Sequence, residues 1–324
     1  MTTRSNMSVT SKSLHIPVLL IIFKRPDTTR QVFEAIRQAK PPRLYVAADG
    51  PRPGKEGEAE QVQATRDIIR QVDWECEVKT LFRDKNVGCG IGPSTAIDWF
   101  FEHEEAGIIL EDDCLPNQSF FVFCQETLEH YAHDARIMQV SGMNPQKGWQ
   151  RDPGYDYYFS EAGITWGWAT WRRAWKLYDY NIPRFKEALD KGYLESFYIV
   201  REKLDWVINC LDEAHRRLPA VDWWDFQWEF TKFTNSGLSV VPNVNLVTNI
   251  GFGADATHTL GISGFATTNT TELRFPLRHP PFVIRDVQSD KRYHAQNSRK
   301  SMVDKINKRV KSLVPAALWR KLKG

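Results

Sequence analysis

A chain of 324 residues, 42% of them hydrophobic, with twelve Trp, ten Tyr and eighteen Phe, can bury a sizeable core as one large domain or two small ones. That composition excludes a collagenous, coiled-coil or largely disordered protein. The net charge of +3 is uneven, because the eleven Lys/Arg and one Asp of 291–324 leave about −7 on the rest; the basic character belongs to the tail, and no nucleic-acid partner is expected.

The first fifteen residues are polar, without the apolar core of a signal peptide, and no apolar run approaches the length of a membrane span. A disordered tail over 1–15 and a cytoplasmic, non-integral protein are expected. Cys76, Cys89, Cys114, Cys124 and Cys210 form no CxxC pair and no His spacing suited to zinc, which predicts free thiols in a reducing compartment.

Ile16 to Phe23 reads as a continuous apolar strand ending at Lys24, Arg25, Pro26 and Asp27, so a cation, Arg25, stands at its carboxyl end. A helix from about Thr28 to Gln38 follows, with Asp27 or Thr28 as cap. Leu44 to Ala48 is a second strand, stopping at the turn Asp49-Gly50-Pro51. Glu58 to Val72 reads as helix and Cys76 to Phe82 as a third strand. Arg83 to Gly92 then supplies a loop with three glycines, Arg83, Lys85 and Asn86, feeding a helix at about Pro93 to Glu105. Backbone amides at such a loop can approach an anion, although glycines there also serve plain tight turns.

In Ala106 to Pro116, the short buried strand Ile108-Ile109-Leu110 runs into Glu111, Asp112 and Asp113 with no basic residue beside them in sequence. Hard divalent ions take oxygen ligands and commonly bridge one or two carboxylates to a diphosphate, so Mn²⁺ or Mg²⁺ is expected here. Capping of the helix from Asn117 to Tyr131 is the structural alternative. Alternating β and α segments with a polar hook at each strand end predict a parallel sheet with one ligand cleft over 16–145.

Over 146–285 the pattern changes. Ile137 to Val140 precedes it as a short strand, and Tyr155 to Phe159 alternates like an edge strand. Glu161 to Arg173 carries Trp166, Trp168 and Trp171, with a helix expected to begin near Ala169 and to bury Trp171 and Trp175. Trp166 is either a wall for a sugar ring or core. Helices are expected at Lys186 to Leu189 and Leu194 to Arg217. The stretch Val221 to Glu229 sets Asp222, Asp225 and Glu229 among Trp223, Trp224, Phe226 and Trp228. Apolar walls raise a carboxylate's proton affinity, which makes Asp225 a candidate general base, while Asp222 could simply cap a helix. Glu161, Trp166 and Trp224 are the expected acceptor contacts. Asn249 to Thr259 is a glycine-rich polar segment that would close over a site, with His258 as a further metal or diphosphate ligand.

The order IPVLLIIFKRP, YVAADG, RDKNVGCGIG, IILEDDCLP resembles the nucleotide-sugar half of GT-A glycosyltransferases, whose DxD motif has an acidic-triplet variant. EDD followed by a helix, GITWGW and WWDFQW are similar to N-acetylglucosaminyltransferase I, over roughly residues 16–260, and bacterial nucleotide-diphospho-sugar transferases are similar across the whole length. The resemblance implies a GT-A, Rossmann-like α/β fold with a mostly parallel central sheet flanked by helices and a helical, aromatic-rich acceptor half. It further implies that Arg25 and Asp49 hold the nucleotide, that Asp113 ligates Mn²⁺, and that Asp225 is the base; Arg83, Asn86, Glu111 and Asp112 are the other expected nucleotide-sugar contacts. UDP-sugar is the implied donor, and a glycan or lipid-linked hydroxyl the acceptor, in an inverting transfer. A nucleotidyltransferase acting on a sugar phosphate, and a non-catalytic sugar-binding, membrane-docking protein, are the competing classes.

The basic tail over 286–324 places Val303, Ile306, Val310, Leu313 and Val314 on one helical face among Lys305, Lys308, Arg309 and Lys311. Such a helix either lies on an anionic membrane surface, at the inner face of the membrane, or docks on the catalytic domain.

Overall fold

The computed structural model of the protein describes residues 13–198, 200–251 and 268–296. His258, most of the expected N-terminal tail and the amphipathic stretch beyond 296 lie outside the described residues. The apolar run forms β1 (Val18–Ile22), and Pro26 opens α1 (Pro26–Ala39). Arg25 is the N-cap residue, and neither Asp27 nor Thr28 caps, because Pro at the first helical position needs no amide partner. β2 (Arg43–Ala48), α2 (Glu58–Asp67, continued by a tighter turn over Ile68–Gln71) and β3 (Glu77–Phe82) follow as expected. α3 (Gly88–His103) starts five residues before Pro93, so the glycines are its first turns and not a free loop.

β4 (Ala106–Glu111) and β5 (Cys114–Pro116) flank Asp112 and Asp113, and α4 (Gln118–His130) is capped by Asn117, whose side chain accepts from the Phe120 amide. The acidic triplet therefore does not cap this helix. β6 (Ile137–Ser141), β7 (Tyr157–Ser160) and β8 (Trp168–Trp171) come next. Residues 168–171 are strand where a helix was expected, since they pair with β4 on one side and β6 on the other; only α5 (Arg172–Trp175) is helical. The helix expected from Leu194 is broken: α6 (Phe185–Asp190) and α7 (Tyr193–Phe197) precede α8 (Arg201–Arg217). α9 (Asp225–Thr234), β9 (Leu238–Pro242), β10 (Val247–Asn249) and a helix over 287–296 complete the described elements.

Among the described residues, eight strands form one sheet in the order β3-β2-β1-β4-β8-β6-β9-β7, and β10 pairs with β5 in a second. The pairs β3·β2, β2·β1, β1·β4 and β6·β9 are parallel, while β8 and β7 run antiparallel to their neighbours. This is the mostly parallel, helix-flanked α/β arrangement expected, and β7 lies at its edge. Alternate residues of β1 serve opposite faces. Val18, Leu20 and Ile22 join α1 and α4 in one core, while Leu19 and Ile109 join α3, Trp168, Trp175, Trp224 and Trp228 in another. A third cluster holds α6 to α9 around Phe185 and Leu211.

Candidate active site

The parallel strands β1, β2 and β4 end on one rim. The chain moves outward from β1 through β2 to β3, then returns to place β4 on the other side of β1, so the order reverses between β1 and β4. In open α/β sheets ligands collect outside the carboxyl ends of the strands at this reversal. Ile21 lies opposite Glu111 in the parallel register, which brings the chain beyond each strand to the same place. Arg25 bridges two of the three acids, pairing with Asp112 and, through Nη1, with Asp113 Oδ2 at 3.0 Å. The triplet that has no cation beside it in sequence thus receives one from β1. Asp112, 3% exposed, also accepts from the Phe23 amide at 3.2 Å.

One guanidinium does not neutralise three carboxylates. Burial, with the charges of Asp113 and Asp112, pushes Glu111 well up from its ordinary range. Burial also pushes Asp112 up, against the opposing pull of Arg25. Among the described residues the Glu111 carboxylate has no hydrogen-bond partner.

Asp49 meets the start of α3. Its carboxylate accepts from the Val87 amide at 3.0 Å and from the Gly88 amide at 3.0 Å, so those donors are taken by the protein's own acid. Asn86 donates to the Gly50 carbonyl at 3.0 Å, and Arg83 to the Thr95 hydroxyl at 2.7 Å. These contacts fix the rim of β2 and β3. Cys89 is exposed on the first turn of α3.

Asp225 comes from the other half of the chain. It opens α9 and accepts from the Phe226 amide at 3.1 Å. Burial, helped by Glu229, pushes it up to about 6, and its charge is felt at Glu111. The segment leading to it, Val221 to Trp224, reaches the rim by packing on Gly90, where Tyr180 donates to the Val221 carbonyl at 2.9 Å. A methyl at Gly90 would collide with that carbonyl and with the Tyr180 hydroxyl. Helix propensity alone makes Gly90→Ala stabilising by about 1 kcal/mol. The collision reverses the sign, and a loss of about 1–3 kcal/mol in urea unfolding is expected.

On the opposite side, β10 delivers Asn249 to Gly251 across the acids: Ile250 donates to the Asp113 carbonyl at 2.8 Å, and the Gly251 amide to Asn249 Oδ1 at 2.8 Å. Of the glycine-rich segment only Asn249 to Gly251 are described, and they cross the triplet at Asp113; the rest, 252–259, lies outside the described residues. A Cβ at Gly251 would collide with Asp113 Oδ2 and Arg25 Nη1, so the backbone passes close against that ion pair. No group of three metal-ligating side chains converges among the described residues, so a protein-only metal cage is not formed there. One feature fits a hard divalent ion whose remaining ligands would be diphosphate oxygens: the excess of carboxylate over cation.

The expected acceptor residues separate. Trp224 is 5% exposed and stacks on Trp168 with centroids 5.7 Å apart, so it is core and forms no open wall. Glu161, 1% exposed, pairs with Arg285 and with His294 Nε2 at 2.7 Å, inside a buried charge cluster and not in a cleft. Both sit among aromatic residues in sequence, and neither pattern distinguishes a wall from a core. Trp166 is half-buried against the larger core, beside Gly167, whose left-handed backbone (φ 64°) brings it next to Val247 and Leu110 at the end of β4. Lys203, which pairs with Glu229, was not signalled by any motif.

No protein-family model matches the chain, and neither does any curated protein. Among solved structures it is similar to the mannosyltransferase PcManGT from Pyrobaculum calidifontis, determined in complex with GDP-Man and Mn²⁺. That match has 12% identity and a TM-score of 0.34, over 51% of this chain and 46% of that one. It is also similar to HddC from Yersinia pseudotuberculosis, at 9% identity and a TM-score of 0.31, over 49% of this chain and 77% of that one. The chain therefore spans less than half the length of the mannosyltransferase, and neither likeness assigns a residue or a reaction here.

Proposed function

We propose that the protein is a metal-dependent, inverting glycosyltransferase that moves a sugar from a nucleoside diphosphate sugar, with UDP-sugar favoured, to a hydroxyl of a glycan or lipid-linked acceptor. The observation that carries this reading is the convergence of Arg25, Glu111, Asp112, Asp113 and Asp225 at the point where strand order reverses. Arg25 faces the diphosphate and orients Asp112 and Asp113. Asp113 is the residue that would hold Mn²⁺ or Mg²⁺. The ion, when bound, neutralises the departing diphosphate, which removes the need for a protein acid. Asp49 fixes the start of α3, and with it the position of Arg83 and Asn86 along the nucleotide. Asp225 takes the proton of the acceptor hydroxyl as its oxygen attacks the anomeric carbon from the face opposite the diphosphate. The bond to the diphosphate breaks, inverting the centre. An acid pushed up to about 6 is ionised at neutral pH yet basic enough for that task.

The test is a thermal-shift panel of nucleoside diphosphates and nucleotide sugars, with and without Mn²⁺, on the wild type and Asp113→Ala. A ligand that binds only the native state raises the midpoint according to RT ln(1 + [L]/Kd). One base should stabilise the wild type in the presence of Mn²⁺, and Asp113→Ala should lose that increment while keeping its ligand-free midpoint. An unchanged increment in Asp113→Ala rules out the assigned ligand. Stabilisation by nucleoside triphosphates with a sugar phosphate, and release of pyrophosphate, would instead establish a nucleotidyltransferase.

A further inference from the structure

α9 carries two carboxylates on one face, Asp225 at its first residue and Glu229 one turn later. Glu229 is met by Lys203 of α8, whose Nζ lies 2.8 Å from Oε1, and by the Tyr198 hydroxyl, which donates to the same oxygen at 3.2 Å. Lys203 is only 9% exposed, and its ammonium also stands 4.5 Å from the centre of the Trp206 ring. Charges continue inward from this pair. Lys232, fully buried, donates to the Ser239 hydroxyl at 3.0 Å. Glu161 and Asp290 share Arg285, the latter at 2.7 Å from Nε. Burial pushes His294 down to about 4, leaving it neutral. From Asp225 inward the string holds four acids, Asp225, Glu229, Glu161 and Asp290, against three cations, Lys203, Lys232 and Arg285.

We propose that the Lys203–Glu229 pair is a positioning device that fixes the first turn of α9 and sets the proton affinity of Asp225, with Glu229 raising it and Lys203 limiting the rise. The consequence for catalysis rests on reading Asp225 as the base; the titration itself does not. The charged and titratable groups facing Asp225 are Glu229 on its own helix, Lys203 and Cys210 on α8, Glu111 at the end of β4, and Tyr178 after α5. The thiol of Cys210 is pushed up to about 12 and the phenol of Tyr178 is pushed well above its usual range, both chiefly by burial, so both stay neutral. Glu111 and Glu229 oppose ionisation of Asp225, and Lys203 brings the opposing cation.

The experiment is a carbon-13 titration of the aspartate carboxyls in the full chain, with the Asp225 signal identified by its loss in Asp225→Asn. Glu229→Gln removes a negative neighbour and leaves Lys203 in place, so the Asp225 midpoint should fall by on the order of one pH unit. In Lys203→Met/Glu229→Gln the midpoint should climb back, to lie between that of Glu229→Gln and the wild type. Damage to packing alone predicts no such return, because the double variant loses more contacts. An unmoved midpoint in Glu229→Gln, or a double variant as low as the single, overturns the proposal. If Glu229→Gln does not fold with Lys203 left unpaired, the double variant decides alone: a midpoint below the wild type supports the proposal, and one at or above it refutes it. Failure of the base reading has a different signature, retained turnover in Asp225→Asn, whatever the titration gives.

Discussion

Asp225→Asn is expected to lower kcat by about 10²- to 10⁴-fold, the range that a positioned general base contributes, while nucleotide affinity stays near wild type. Asparagine keeps the shape and can still accept the hydrogen bond that Phe226 donates at 3.1 Å, so α9 should start where it does now. What it loses is the capacity to take a proton. The pH dependence supplies a second reading. Asp225 is pushed up to about 6, so wild-type turnover should fall as pH drops through that value and the base becomes protonated. Residual turnover in the Asn variant should lack this acid limb. A variant retaining more than about a tenth of wild-type turnover would move the role away from Asp225, given the size expected of base catalysis.

Arg25→Met is expected to destabilise the fold by about 3–5 kcal/mol at neutral pH, because it strips the cation from Asp112 and Asp113 and leaves buried carboxylate charge uncompensated. The effect has a definite pH sign. Asp112 already sits above its ordinary value in the folded protein, so the native state holds a proton there more tightly than the unfolded chain does. For such a group the native state is favoured at low pH, and that advantage is lost as pH rises through the folded value. Without Arg25 the folded value rises further. The deficit of the variant should therefore be largest above neutrality and shrink at about pH 5, where the acids can hold protons. Denaturant midpoints for both proteins at the two pH values measure it, and a deficit independent of pH would show that Arg25 acts by packing alone.

The polar residues at the ends of the first strands were legible in the sequence because they depend on local patterns. Ile108 to Leu110 run into the acids, β1 ends at Arg25 and β2 at Asp49, and each hook sits within a few residues of an apolar run. The ion pair between Arg25 and the acids was not legible, since it requires β1 and β4 to be neighbours, with Ile21 facing Glu111. The acceptor side failed for a related reason. Trp168 to Trp171 look like the start of a helix by spacing, yet become strand because β4 and β6 offer hydrogen bonds on both sides. Trp224 and Glu161 carry the residue types of a sugar site, and long-range partners, Trp168 for one and Arg285 and His294 for the other, make them interior. Asp225 opens α9, stays half-buried, and its charge is felt at Glu111.

The position of β8 governs how the chain can be cut. Trp168–Trp171 lies between β4 and β6, far downstream of β4 in sequence, and covers the edge of β4 along Ala106–Ile109. A fragment holding only the first 145 residues would leave the hydrogen-bonding groups of Ala106–Ile109 without their partner strand. It would also strip Trp168 from the apolar face that includes Leu19 and Ile109. An open edge of this length, flanked by buried Ile and Leu, is a template for pairing with another copy. The strands that bear Arg25 and the acids are therefore not a portable module: their sheet is closed only by a segment made after them.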